Sequence, residues 1–143
     1  MTGIRSILRR GRGADSVIAA YGAQRDTPHH PGICNAPFSN LYFAASGKVG
    51  PCWIQLGDMG ERWTPDHSIR DIWTGPTFTK LREALADQRF PGPCGRCRHD
   101  IESGVAPLAA IYDREPEIIE WPTSLELELS NLCNFECVMC TGE

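Results

Sequence analysis

The stretch SNLYFAASGKVGPCWIQL, residues 39–56, reads as a β-hairpin. Leu41, Tyr42 and Phe43 are strand formers, ASGK makes the turn, and Val49 to Leu56 carry the chain back. Gly47 supplies the permissive backbone of the turn, and Pro51 demotes the returning strand to an edge or a bulge. The hairpin matters because cysteines flank it. Cys34 is followed by twelve residues and then Gly47, and four more residues separate that glycine from Cys52. A turn at Gly47 therefore brings Cys34 and Cys52 close together.

Downstream, HSIRDIWTG reads as a short helix, with Ile69, Ile72 and Trp73 on one face and Gly75 as its stop. TFTKLREALADQRF reads as a longer helix. Its apolar stripe is Phe78, Leu81 and Leu85, and Thr77 is a candidate N-cap. The prolines of PGPCGRC cannot continue it, and the tight chain there sets Cys94 beside Cys97. Residues 98–124 read as a connector in which LAAIYDRE makes a turn or two of helix. SLELELSN follows, with Leu125, Leu127 and Leu129 alternating with Glu126 and Glu128, the period of a strand. Upstream, residues 1–33 have little periodicity and read as a loosely ordered leader with a short helix near SVIAAYG.

With 143 residues, 41% of them hydrophobic and 22% charged, the chain suits one small globular domain, or one plus part of another. A net charge of −4 gives no reason to expect nucleic-acid binding. Residues 1–30 carry five arginines against two aspartates, and residues 113–143 carry eight acids against Arg114. Solvated surface accounts for both. No apolar run approaches a membrane span, and the N-terminus lacks a secretory h-region with a cleavage site. A cytoplasmic chain with no membrane partner is expected.

Seven cysteines, an odd number, argue against a complete disulfide set. In a reducing compartment, clustered cysteines bind metal or do redox work, and thiolates suit zinc, copper(I) or iron–sulfur clusters. Cys34, Cys52, Cys94 and Cys97 can form one four-thiolate shell. His99, next to Cys97, could replace one thiolate, while His29, His30 and His67 have no convincing ligand spacing. Two alternatives remain open: a non-catalytic zinc-binding interaction module, and a thiol redox protein using Cys94 and Cys97. The latter lacks a thioredoxin-like strand–helix setting for its C-x2-C.

The pattern Cys34, Gly47, Cys52, Gly57, then Ile72, Trp73, Phe78, Leu81 and Arg82, then Cys94 and Cys97, resembles the SPASM and twitch domains of radical SAM enzymes. In that family a hairpin followed by helix carries auxiliary 4Fe–4S clusters. No cysteine stands between Cys97 and Cys133, so the likeness is to the shorter, one-cluster twitch form. The resemblance implies an auxiliary cluster on Cys34, Cys52, Cys94 and Cys97.

Cys133, Cys137 and Cys140 form C-x3-C-x2-C directly after the SLELELSN strand. Three thiolates leave one iron of a cubane open to chemistry. The motif and its strand-then-loop setting resemble the SAM-binding cluster of the radical SAM family, at the start of a (β/α)6 partial barrel. The resemblance implies that the open iron chelates S-adenosylmethionine, whose reductive cleavage yields a 5′-deoxyadenosyl radical. Met139 stands where many members carry an aromatic residue beside the adenine, and methionine can pack on that ring too. The expected fold is α+β. It comprises a leader (1–33), a hairpin-plus-helices SPASM/twitch-like iron–sulfur domain (34–100), a connector (101–124) and the first strand and cluster loop of a truncated partial barrel (125–143). The glycine-rich SAM-binding segment and the later strands are missing. The chain thus reads as a piece of a radical SAM protein, not catalytically competent alone. Its parent would act on an unknown substrate, with a peptide or protein among the candidates, and would draw electrons from a reductant such as flavodoxin or ferredoxin.

Overall fold

The order of elements follows the local chemistry of the chain closely. The computed structural model describes residues 16–25, 33–56, 61–113, 120–130 and 132. A helix at 16–23 is α1. It is followed by α2 (Ala36–Ser39), β1 (Asn40–Phe43), β2 (Lys48–Gly50) and a 3-10 turn at Trp53–Leu56. Then come β3 (Glu61–Arg62), α3 (Ile69–Thr74), α4 (Pro76–Ala86), a 3-10 turn at Gly92–Cys94 and α5 (Gly95–Glu102). A 3-10 turn at Leu108–Tyr112 and β4 (Ser124–Leu127) complete the described elements.

The hairpin forms as expected. β1 pairs antiparallel with β2, Phe43 opposite Val49, and Gly47 turns the chain with φ 80°. The returning strand is shorter than the expected run to Leu56. It ends at Gly50, because Pro51 has no N–H for the ladder and the Gln55 N–H bonds instead to the Cys52 carbonyl at 3.1 Å. β3 adds antiparallel to β2.

The core lies on one face of this sheet. Leu41 and Val49 point toward Ile72 and Trp73 of α3 and Phe78 of α4, all fully buried, with Phe43 and Ile69 at the margin. Each such side chain contributes roughly 1.5–3 kcal/mol by leaving water. α3 begins with a capping box: Ser68 Oγ accepts from the Asp71 N–H, and the Asp71 carboxylate accepts from the Ser68 N–H. Gly75 ends α3 as expected, but it also serves as N-cap of α4. The expected cap at Thr77 is therefore corrected. Pro76 enters the helix at its first turn, where a missing N–H costs nothing, and Thr77 lies inside it.

Arg82 ties the layers. Its Nε donates to the Pro37 carbonyl at 2.8 Å and its Nη1 to the Trp73 carbonyl at 2.9 Å. Its guanidinium lies 4.2 Å from the Trp73 ring centroid. One arginine thus joins α4 to α2 and to the end of α3.

Three further expectations change. Within the leader, residues 16–25 are docked chain: Ile18 packs with Ile33 and Ile101, and Arg25 is buried in an ion pair with Asp113. The connector begins later than expected, because α5 runs to Glu102. Finally, the SLELELSN strand joins the sheet of the hairpin. β4 pairs in parallel with β1, Leu41 opposite Leu125, and closes the order β3-β2-β1-β4 as an edge strand. Its leucines continue the core face beyond the helices, so Leu125 and Leu127 are exposed, while Glu126 turns to the other face. No partial barrel is present among the described residues, and among them no helix is long and apolar enough to cross a membrane.

Candidate metal centre

Around a cavity that Leu85 of α4 helps to line, four segments converge. Cys34 stands one residue before Asn35, the N-cap of α2, whose start is fixed by Pro37 and by Ser39 Oγ donating to the Asn35 carbonyl at 2.9 Å. Cys52 opens the 3-10 turn after β2. Cys94 closes the next 3-10 turn and caps α5, and Cys97 lies in the first turn of that helix. All four are free and partly buried, and all four line one cavity. The other walls are mainly apolar, from Ile33, Ile54, Leu85, Phe90, Leu108 and Ala109, with Gln55 and Tyr112 completing the lining.

The thiols share an electrostatic environment. Burial pushes the Cys34 and Cys52 thiols up, and the neighbouring thiols add to it. Burial, then Cys52 and Cys97, pushes Cys94 up to about 12. Burial likewise raises Cys97. Backbone amides act in the opposite sense. Those of Ala36 favour the Cys34 thiolate, those of Gln55 and Ile54 the Cys52 thiolate, and those of Ala109 and Leu108 the Cys97 thiolate. Four thiolates lining one mainly apolar cavity repel one another unless a cationic centre stands among them. The amides supply the kind of second layer that orients and tunes such ligands.

The donor set suits a soft metal group: thiols only, with no carboxylate or histidine in the lining. Among the described residues, no three His, Cys, Asp or Glu side chains are gathered tightly enough to hold a single ion. A zinc–sulfur bond of about 2.3 Å would draw thiolates to about 3.8 Å apart. A body of several irons spreads them wider.

His99 and His67 are exposed and lie outside the cavity lining, so neither takes a thiolate's place; His29 and His30 lie outside the described residues. So do Gly57 and the terminal Cys133, Cys137, Met139 and Cys140. The sequence reading missed several groups at the site. Gln55 accepts from Cys94 Sγ at 3.5 Å. Asn40, fully buried, donates through Nδ2 to the Pro51 carbonyl at 2.9 Å and to Glu126 at 2.7 Å. That bond latches β4 to the loop holding Cys52. An asparagine before a strand run and a glutamate in an alternating strand carry no local mark of such roles.

No curated protein and no solved structure matches the chain. Over residues 34–98, just under half of the chain, the sequence matches the family model of SPASM, an iron-sulfur cluster-binding domain.

Proposed function

We propose that Cys34, Cys52, Cys94 and Cys97 are the four protein ligands of an auxiliary 4Fe–4S cluster. The observation that carries this reading is their convergence: four thiols from separate parts of the matched segment line one mainly apolar cavity. Bound there, with a cysteine on each iron, a cluster would supply one-electron transfer. The chain's own residues do the rest. Leu85, Phe90, Ile33 and Leu108 limit water at the sulfurs, and the amides of Ala36, Ile54, Gln55, Leu108 and Ala109 favour their thiolate forms. The 3-10 turn that ends at Cys94 packs against the one that follows Cys52.

The wider reading places this domain in a radical SAM protein. Cys133, Cys137 and Cys140 would hold a second 4Fe–4S cluster that binds S-adenosylmethionine, with Met139 beside the adenine. SPASM domains are typical of such enzymes, and C-x3-C-x2-C is the spacing their SAM cluster uses. The substrate would be a peptide, protein or small molecule, and the electrons would come from a flavodoxin or ferredoxin.

Anaerobic reconstitution with iron and sulfide tests the proposal. Broad visible absorbance with acid-labile sulfide is expected. Protein from iron-replete cells that carries stoichiometric zinc, no iron, and takes up no sulfide would overturn it in favour of a zinc-binding interaction module.

A further inference from the structure

Tyr112 ends the 3-10 turn Leu108–Tyr112, whose Leu108 and Ala109 amides favour the Cys97 thiolate. The tyrosine is only 7% exposed, and it lines the same cavity as the four cysteines. Its hydroxyl is buried and has no partner at good hydrogen-bond geometry, although the Glu126 carboxylate stands close enough to interact with it. A buried hydroxyl without a partner is rare and costly, and it points to an acceptor that the protein alone does not supply. The other acceptor beside it is the Glu126 carboxylate, whose Oε1 already takes the Asn40 amide at 2.7 Å. A phenol is protonated at neutral pH, so the Tyr112 hydroxyl is able to donate.

We infer that the Tyr112 hydroxyl donates a hydrogen bond to a sulfur of the group held by Cys34, Cys52, Cys94 and Cys97, and so raises its reduction potential. The inference rests on the cluster reading above. The physical basis is simple. Reduction adds negative charge to the sulfurs, and a donor aimed at them stabilises the reduced form more than the oxidised one. Tyr112 is thus a positioning residue for redox poise, supplied by the segment between α5 and β4 and not by the hairpin.

The test compares wild-type protein with Tyr112→Phe, both reconstituted anaerobically, with iron and sulfide content measured first. Dithionite titration followed by electron paramagnetic resonance then gives each potential. Equal loading is expected, with the Tyr112→Phe potential lower by about tenfold in the one-electron equilibrium constant, ~59 mV. Equal loading with equal potentials would overturn the inference, because the hydroxyl would then be turned toward Glu126. Should Tyr112→Phe fail to load, 3-fluorotyrosine at position 112 decides: it keeps the ring and makes the phenol a stronger donor. Its potential should rise above wild type, and an unmoved potential overturns the inference. Failure of the wild type itself to take up iron and sulfide would overturn the cluster reading, and this inference with it.

Discussion

Replacing Arg82 with alanine should destabilise the domain more than any other single change at a partly exposed position. The guanidinium donates to the Pro37 and Trp73 carbonyls and lies over the Trp73 ring, with Phe78 5.5 Å away. Hydrogen bonds from a charged donor contribute about 1.5–3 kcal/mol each, and a cation over an aromatic face about 0.5–2 kcal/mol. Against this stands the cost of burying charge, visible in the lowered pKa of Arg82, whose cause is desolvation. Alanine also strands the Trp73 carbonyl, one of the last acceptors of α3, without its donor. The net loss should be about 3–5 kcal/mol, a large part of the ~5–15 kcal/mol typical of a domain. Arg82→Lys keeps the charge but not the fork, and should lose about 1–2 kcal/mol. Urea unfolding followed by circular dichroism, at matched metal content, measures both. Because Pro37 lies three residues beyond Cys34, the alanine variant should also retain iron less well. An Arg82→Ala midpoint within about 1 kcal/mol of wild type would refute the linkage of α4 to α2 and α3 described above.

Three further changes probe the local chemistry. A Cβ at Gly75 would stand 2.7 Å from the Asp71 carbonyl oxygen, so Gly75→Ala should cost about 1–3 kcal/mol by thermal melting although its φ of −68° suits alanine. Gln88, just past α4, has φ 57°, and Gln88→Gly should stabilise the domain by about 0.5–1 kcal/mol in the same assay. The Asp71 carboxylate is held below its ordinary 3.8 by the side-chain and then the backbone hydrogen bond of Ser68. Its contribution is complete above that value and is lost as pH falls through the lower folded pKa. Asp71→Asn should therefore flatten the acid limb of a stability–pH profile, and an unchanged limb would contradict the capping role.

The parts of the fold that could be read from sequence are those written locally. The hairpin is set by strand formers around Gly47, and α3 and α4 by stripes ending at Trp73 and Leu85. α5 was hidden because GRCRHDIE buries only Ile101 and is held by Arg96–Asp100 and Arg98–Glu102 pairs on its solvent side. The pairing of β4 with β1 spans more than eighty residues and is parallel, so no turn announces it. The leucine–glutamate alternation identified a strand but not which of its faces is covered. The edge position leaves the leucines exposed and turns Glu126 toward Asn40 and Tyr112. At the site, cysteine spacing named the four thiols that line the cavity. Gln55, Asn40, Tyr112 and Glu126 were invisible because each acts through a partner distant in sequence. The buried Arg25–Asp113 pair, which docks α1, joins residues 88 apart, and no local pattern foretells it.

The most direct test of the cluster assignment separates the first four cysteines from the last three. Protein with Cys133, Cys137 and Cys140 all changed to alanine is reconstituted anaerobically, and iron, sulfide and zinc are counted per chain. The account predicts about four irons and four sulfides, falling sharply when Cys34→Ser or Cys94→Ser is added. A triple variant that binds no iron, or one whose iron survives those serine changes, would contradict it.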